Sequence, residues 1–204
     1  DDIYSISSIS LTDEYKPFTK KIMVCGITLI GREDISDEFM KKVALTIKDM
    51  FSPNEKHIDK TLQEQLIINM HKYRTVIPLF QGENYDFSSS NQEKWDRTLL
   101  ENSICDIIME GVPGQVTEVV EHILHFVTAI GLHYTFPNEW GISQNSDLYK
   151  LMNQAINRGF YDISQYSDID NEEDRLRVLL QEYAYWIIYT SWDLRELYGP
   201  KNAE

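Results

Sequence analysis

Between Gly114 and Gly131 the chain carries two carboxylates and two imidazoles at helical spacing: Glu118, Glu121, His122 and His125. At about 100° per residue these four fall in one arc roughly 100° wide, with Ala129 among them. Val119, Val120, Ile123, Leu124, Phe126, Val127 and Ile130 cover the rest of the circumference. An apolar majority implies a buried helix. Burying unpaired polar groups costs several kcal/mol, so the stripe needs partners. A divalent metal is one such partner. A cleft wall or subunit interface lined by hydrogen-bonded side chains is another.

Zinc-binding helices of the H-E-x-x-H type place two histidines at i and i+4, with a glutamate after the first as general base. The stretch here reads Glu121-His122-Ile123-Leu124-His125, so the first two letters are exchanged. The i, i+4 pairs become Glu121 with His125 and Glu118 with His122, and His122 and His125 form an i, i+3 pair. Carboxylate and imidazole both ligate zinc, so metal chemistry survives the exchange, with either Glu121 or His122 as the first ligand. A further ligand must come from elsewhere. Glu182 is the candidate, an acid inside the aromatic and apolar run Leu179 to Trp186. Acids are rarely buried unless paired. Tyr185 and Tyr189 lie on the same helix face and can hydrogen-bond a ligand. The plainer reading of Glu182 is a salt bridge to Arg175 or Arg177. His133 is a weaker ligand candidate, and His57 and His71 read as surface residues of a helix. Asp168, Asp170, Asn171 and Glu173 lack regular calcium-loop spacing and read as a solvated helix cap.

The elements that must position these groups follow from periodicity and punctuation. Residues 1–20 are polar and aperiodic, an extended arm. Lys21 to Ile30 is dense in β-branched residues and reads as one strand. Asp34 or Ser36 caps a helix to about Phe51, stopped by Pro53, with Phe39, Val43 and Ile47 inward. A second helix spans about Ile58 to Tyr73. Thr75 to Phe80 reads as a strand, and Pro78, lacking an N–H, assigns it to a sheet edge open to strand addition. A polar loop follows over 81–95, and Ile104 to Met109 is a further short apolar segment. Gly111 to Gly114 breaks the chain before the central helix. An aromatic loop with His133, Tyr134, Phe136 and Trp140 comes next, then a helix from about Asp147 to Arg158. The last helix starts after the acidic turn 168–174 and reaches about Tyr198 before Gly199-Pro200. Strands with helices first, then mostly helices, give an α+β fold: a small mixed sheet packed against a helical C-terminal part. Residues 21–204 read as a single domain, with a strand-and-helix part over 21–110 and a helical part carrying the candidate site over 111–204.

The 204 residues carry a net charge of −14. Such a field repels phosphate backbones, so nucleic acid is not an expected partner. No run approaches the ~20 apolar residues of a membrane span. The chain begins at Asp1 without an initiator Met, as a processed form does. Removal of a secretory signal would make the protein secreted or periplasmic. Cys25 and Cys105 sit among apolar residues as small buried hydrophobes, or form one disulfide. No phosphate-binding glycine loop or serine nucleophile elbow is present.

Across roughly the last two-thirds of the chain, Thr75–Phe80, Glu118–Ile130 and Glu182–Trp186 together resemble gluzincin metallopeptidases of the anthrax lethal factor type. There an edge strand precedes an active-site helix, and a later helix carries a glutamate followed by aromatics. The resemblance implies a zincin-like fold and a zinc-dependent hydrolase acting on peptides. It puts metal ligands at Glu121, His125 and Glu182, the acid/base position at His122, and an oxyanion-stabilising tyrosine at Tyr185 or Tyr189. The exchanged Glu and His also allow an inactive relative. The alternative is a non-catalytic binding or assembly protein that uses the acidic cleft and the edge strand.

Overall fold

The computed structural model describes residues 2–51 and 58–191. Pro53, His57 and the expected end of the last helix near Tyr198 and Gly199-Pro200 lie outside the described residues. The fold is α+β, built on a five-stranded mixed sheet in the order β1-β2-β3-β4-β5. The strands are β1 (Ser10–Leu11), β2 (Lys20–Val24), β3 (Ile27–Gly31), β4 (Val76–Gln81) and β5 (Ile108–Glu110). β1, β2 and β3 pair antiparallel, while β3, β4 and β5 run parallel.

Lys21 to Ile30 is thus a hairpin and not the single strand expected. Cys25 and Gly26 turn the chain, both at positive φ (46° and 75°). A Cβ on Gly26 would lie 2.2 Å from the Ile67 carbonyl oxygen, so only glycine fits there. The polar arm is also partly built in. Ile6 bridges Val24, β1 flanks β2, and Tyr4, Tyr15 and Phe18 are buried.

β4 is the clearest correction. It lies inside the sheet, between β3 and β5, and not at an edge. Pro78 is tolerated because the ladder to β5 is interrupted where its missing N–H would point. On that side Val76 donates to the Ser103 carbonyl at 3.1 Å, and pairing with β5 resumes only at Leu79. Both faces of β3 and β4 are covered, which explains their unbroken apolar sequences. Ile27, Leu29, Ile77 and Leu79 enter the main core with α1 (Asp37–Met50), α2 (Lys60–Lys72) and the central helix. Ile30, Val76 and Phe80 face the other way, against Phe18, Phe87 and Trp95. Trp95 belongs to α3 (Ser89–Glu101), a helix formed where part of a polar loop was expected.

Caps match the sequence signals where a side chain makes them. The Ser36 hydroxyl accepts from Phe39 N–H at 3.0 Å and starts α1. Ser146 does the same for α7 (Asp147–Asn157), accepting from Tyr149 N–H at 3.1 Å. In the acidic turn, Asn171 accepts from Glu173 and Asp174 N–H at 2.9 and 3.0 Å, opening α8 (Glu172–Ser191). The central helix α4 (Gln115–Phe126) runs on into a π-helical segment, Val127–Leu132. Short turns α5 (His133–Thr135) and α6 (Pro137–Trp140) replace the expected aromatic loop. Gly131 in the π segment packs on α2, where a Cβ would meet Leu66 Cδ2 at 3.0 Å. Val120 and Leu124 of α4 pack against Tyr185, Ile188 and Tyr189 of α8. Another face of α8 packs Leu180 and Ala184 on Leu148 and Met152 of α7. Cys25 and Cys105 are free thiols, and burial pushes Cys25 up to about 12.

Candidate metal centre

The polar stripe of α4 divides into two rows with different work. Gln115, Glu118 and His122, three and four residues apart, lie along the outer edge of β5. The Gln115 amide oxygen accepts from Gly111 N–H at 2.7 Å, and its Nε2 donates to Met109 O at 2.6 Å. Glu118 Oε1 accepts from Met109 N–H at 2.8 Å. His122 donates its Nδ1 proton to the Ile107 carbonyl, which fixes its tautomer. Side chains thereby do what a sixth strand would do for this edge. Burial pushes the Glu118 carboxyl above the usual range, although the Met109 N–H and His122 oppose this.

One residue round the helix, Glu121 and His125 face α8. His125 is 5% exposed. Its Nδ1 lies 2.7 Å from Asp106 Oδ2, and the other oxygen of Asp106 accepts from Ile107 N–H at 2.7 Å. Asp106 stands just before β5, so strand and helix meet at this carboxylate. The far nitrogen of His125, Nε2, is buried without a hydrogen-bond partner and lies 3.6 Å from Glu182 Oε1. That distance is too long for a hydrogen bond. It is close to the spacing of two ligands on one tetrahedral ion, roughly 3.3–3.5 Å for bonds of about 2.0–2.2 Å. Ligand atoms of Glu121, His125 and Glu182 all lie within 4.8 Å of one another. The residues therefore fit a divalent ion: two carboxylates and an imidazole, with a second carboxylate steering the imidazole through its other nitrogen.

The electrostatics are those of charges held close in a poorly solvated place. Burial and the Glu182 charge raise the Glu121 carboxyl. Burial alone would pull His125 down. Hydrogen bonding with Asp106 and attraction to Glu182 outweigh it and bring the imidazole to about 9. Asp106 responds in the opposite sense. Burial opposes its ionisation, but the bond to His125 and the charges of His122 and His125 hold it below the usual carboxylate range.

Arg177 does not neutralise Glu182. It donates to Gln181 at 2.8 Å and pairs with Asp174 at 3.6 Å, while Glu182 pairs with His125. Glu121 and Glu182 open on a cleft of 390 Å³ walled by Gln165, Tyr166, Tyr185 and Trp186. Of the two expected tyrosines, Tyr185 lines this cleft, whereas Tyr189 is fully buried behind it, with ring centroids 5.1 Å apart. His122 does not join the three-residue group, because its Nδ1 is held by Ile107. His133 accepts from Ile142 N–H at 3.0 Å and holds the turn before α7, and His71 is exposed on α2.

Sequence reasoning missed Asp106 and the Gln165–Tyr166 wall. Asp106 lies 19 residues before His125, in no motif. The wall comes from a 3₁₀ turn, Ser164–Tyr166, inside a polar stretch with no periodic signal. No helix among the described residues is long and apolar enough to cross a membrane. No protein-family model, curated protein or solved structure matches the chain.

Proposed function

We propose that the chain is a zinc-dependent hydrolase acting on peptides, with a zincin-like arrangement in which Glu121, His125 and Glu182 hold the metal. The observation that carries this reading is His125 Nε2, a buried ring nitrogen without a hydrogen-bond partner that faces two carboxylates beside a cleft. The bound ion would polarise a substrate carbonyl and supply an activated water. Asp106 keeps a proton at Nδ1 of His125 and orients the ring, leaving Nε2 for the ion. Burial and the Glu121 charge hold the Tyr185 proton on, so this hydroxyl acts as a donor to a substrate oxygen. With His122 committed to Ile107, a cleft carboxylate, Glu121 or Glu182, is left to take the proton of the attacking water.

The imidazole at position 122, where the H-E-x-x-H pattern carries its glutamate, favours a second reading. In it the protein is a non-catalytic binding or assembly protein that keeps the cleft. Its use of β4 for strand addition has no support, since β4 is interior.

Elemental analysis tests the proposal. Protein purified without added metal is expected to carry one zinc per chain, lost in His125→Ala and in Glu182→Ala together with hydrolysis of a mixed peptide substrate. A wild-type chain that takes up no zinc, or full occupancy in both variants, overturns it. Full occupancy with no turnover of any peptide selects the second reading.

A further inference from the structure

Recognition of an extended peptide by its main chain needs free N–H and C=O groups on a strand edge. On β5, the strand beside the candidate metal centre, those groups are taken by the protein itself. Glu118 holds the Met109 N–H, Gln115 holds the Met109 carbonyl and the Gly111 N–H, and His122 holds the Ile107 carbonyl. Recognition therefore falls to side chains in the cleft.

Those side chains share one chemistry. The floor is formed by Glu121 and Glu182 and the walls by the rings of Tyr166, Tyr185 and Trp186, and no lysine or arginine lines the cleft among the described residues. Arg177, the basic residue nearest Glu182 in sequence, is engaged by Gln181 and Asp174. The orphaned Nε2 of His125 faces the same floor, so a cation belongs there. With a divalent ion bound, the three carboxylates of Asp106, Glu121 and Glu182 still outweigh its charge. A phosphate or carboxylate entering the cleft would meet repulsion and no basic partner. A cation is attracted both by the floor and by the faces of the aromatic rings.

We propose that the cleft is a subsite for a lysine or arginine side chain of a polypeptide, its stem lying along Trp186 and its charge between the Tyr166 ring and the acidic floor. The inference rests on the hydrolase reading only for its place beside the reacting bond. It sets the substrate class as polypeptides with a basic residue next to that bond.

The test separates the two ideas. Zinc-loaded and metal-free protein are titrated by calorimetry with the Nα-acetyl amides of lysine, norleucine and glutamate. Norleucine keeps the lysine stem without its charge. The lysine amide is expected to bind at least tenfold tighter than the norleucine amide in both forms, with no binding of the glutamate amide. Tyr166→Leu, on a surface turn, and Trp186→Leu are expected to reduce that preference to below threefold. Equal binding of lysine and norleucine, no binding of any of the three, or a preference untouched by both substitutions overturns the subsite. Peptide cleavage forms the other arm. Turnover indifferent to lysine and arginine overturns the subsite and leaves the hydrolase. Selective lysine binding without turnover of any peptide leaves the subsite and overturns the hydrolase.

Discussion

Replacing Asp106 by asparagine tests the centre through a residue that does not touch the metal. The substitution keeps the volume of the side chain and removes its charge. Asp106 Oδ2 lies 2.7 Å from His125 Nδ1. Across the ring to Nε2, and one bond of about 2.0–2.1 Å further, an ion would stand roughly 6.5 Å from this carboxylate. A unit negative charge and a divalent cation at that separation attract by about 1.3 kcal/mol in a water-like dielectric and about 5 kcal/mol at an effective value near 20. Losses of 10- to 100-fold, typical when the outer partner of a ligating histidine is changed, correspond to about 1.4–2.7 kcal/mol and fall inside that window. Competition for zinc against a chromophoric chelator at pH 7 should therefore show the Asp106→Asn dissociation constant raised 10- to 100-fold, with one-to-one stoichiometry retained. Glu118→Gln, on the strand-edge row of α4, should change it less than threefold. Asp106→Asn binding zinc within twofold of wild type, while His125→Ala abolishes binding, would refute the idea that Asp106 orients the ligand.

The remaining predictions concern stability and pH. Glu118→Ala leaves the Met109 N–H without its acceptor, at a cost of about 1–3 kcal/mol, and a chemical denaturation curve should move accordingly. His122→Ala should show a loss of similar order by removing the donor to Ile107, and an unchanged curve would show that water replaces it there. Val120 is 3% exposed between α4 and α8, so Val120→Asp should leave no cooperative unfolding transition by circular dichroism; a native-like melt refutes that packing. In the metal-free protein His125 sits at about 9, above the ~6.5 of an unfolded chain. Its contribution to stability is full below about pH 6.5 and is lost as pH rises towards 9. Zinc needs the neutral ring, so its affinity should instead climb by up to about tenfold per pH unit from 7 towards 9. A flat affinity profile across that range would show that His125 gives up no proton on binding.

What could be read in advance depended on how local the cause was. α1, α7 and α8 announced themselves through Ser36, Ser146 and Asn171 and through apolar residues three and four apart. Glu182 stood out because an acid within an apolar helix demands a partner, and the structure sets it 3.6 Å from His125. The hairpin of β2 and β3 was hidden because both strands are apolar and the turn is Cys25-Gly26, without the usual Asn-Gly or Asp-Gly signal. Pro78 misled because its tolerance depends on a gap in the neighbouring ladder, set by residues near 103 and 108. The division of labour along α4 was equally non-local. Glu118 and Glu121 look alike in sequence, and only the position of β5 assigns one to a strand edge and the other to the cleft.

The wide coil between Phe126 and His133 sets how this chain can change in length. Each residue in an ordinary helix advances the next by about 100°. Deleting one residue within Val127–Leu132 would re-phase everything downstream, pull Gly131 off Leu66 and swing the Ile142 N–H away from His133. The loop between Gly159 and Asn171 has no such phase to keep, and insertions there would leave the α7–α8 contact in place. Lineages that preserve the Glu121–His125–Glu182 meeting point are therefore expected to differ by insertions and deletions near residue 165 and to hold the count from 126 to 133 constant.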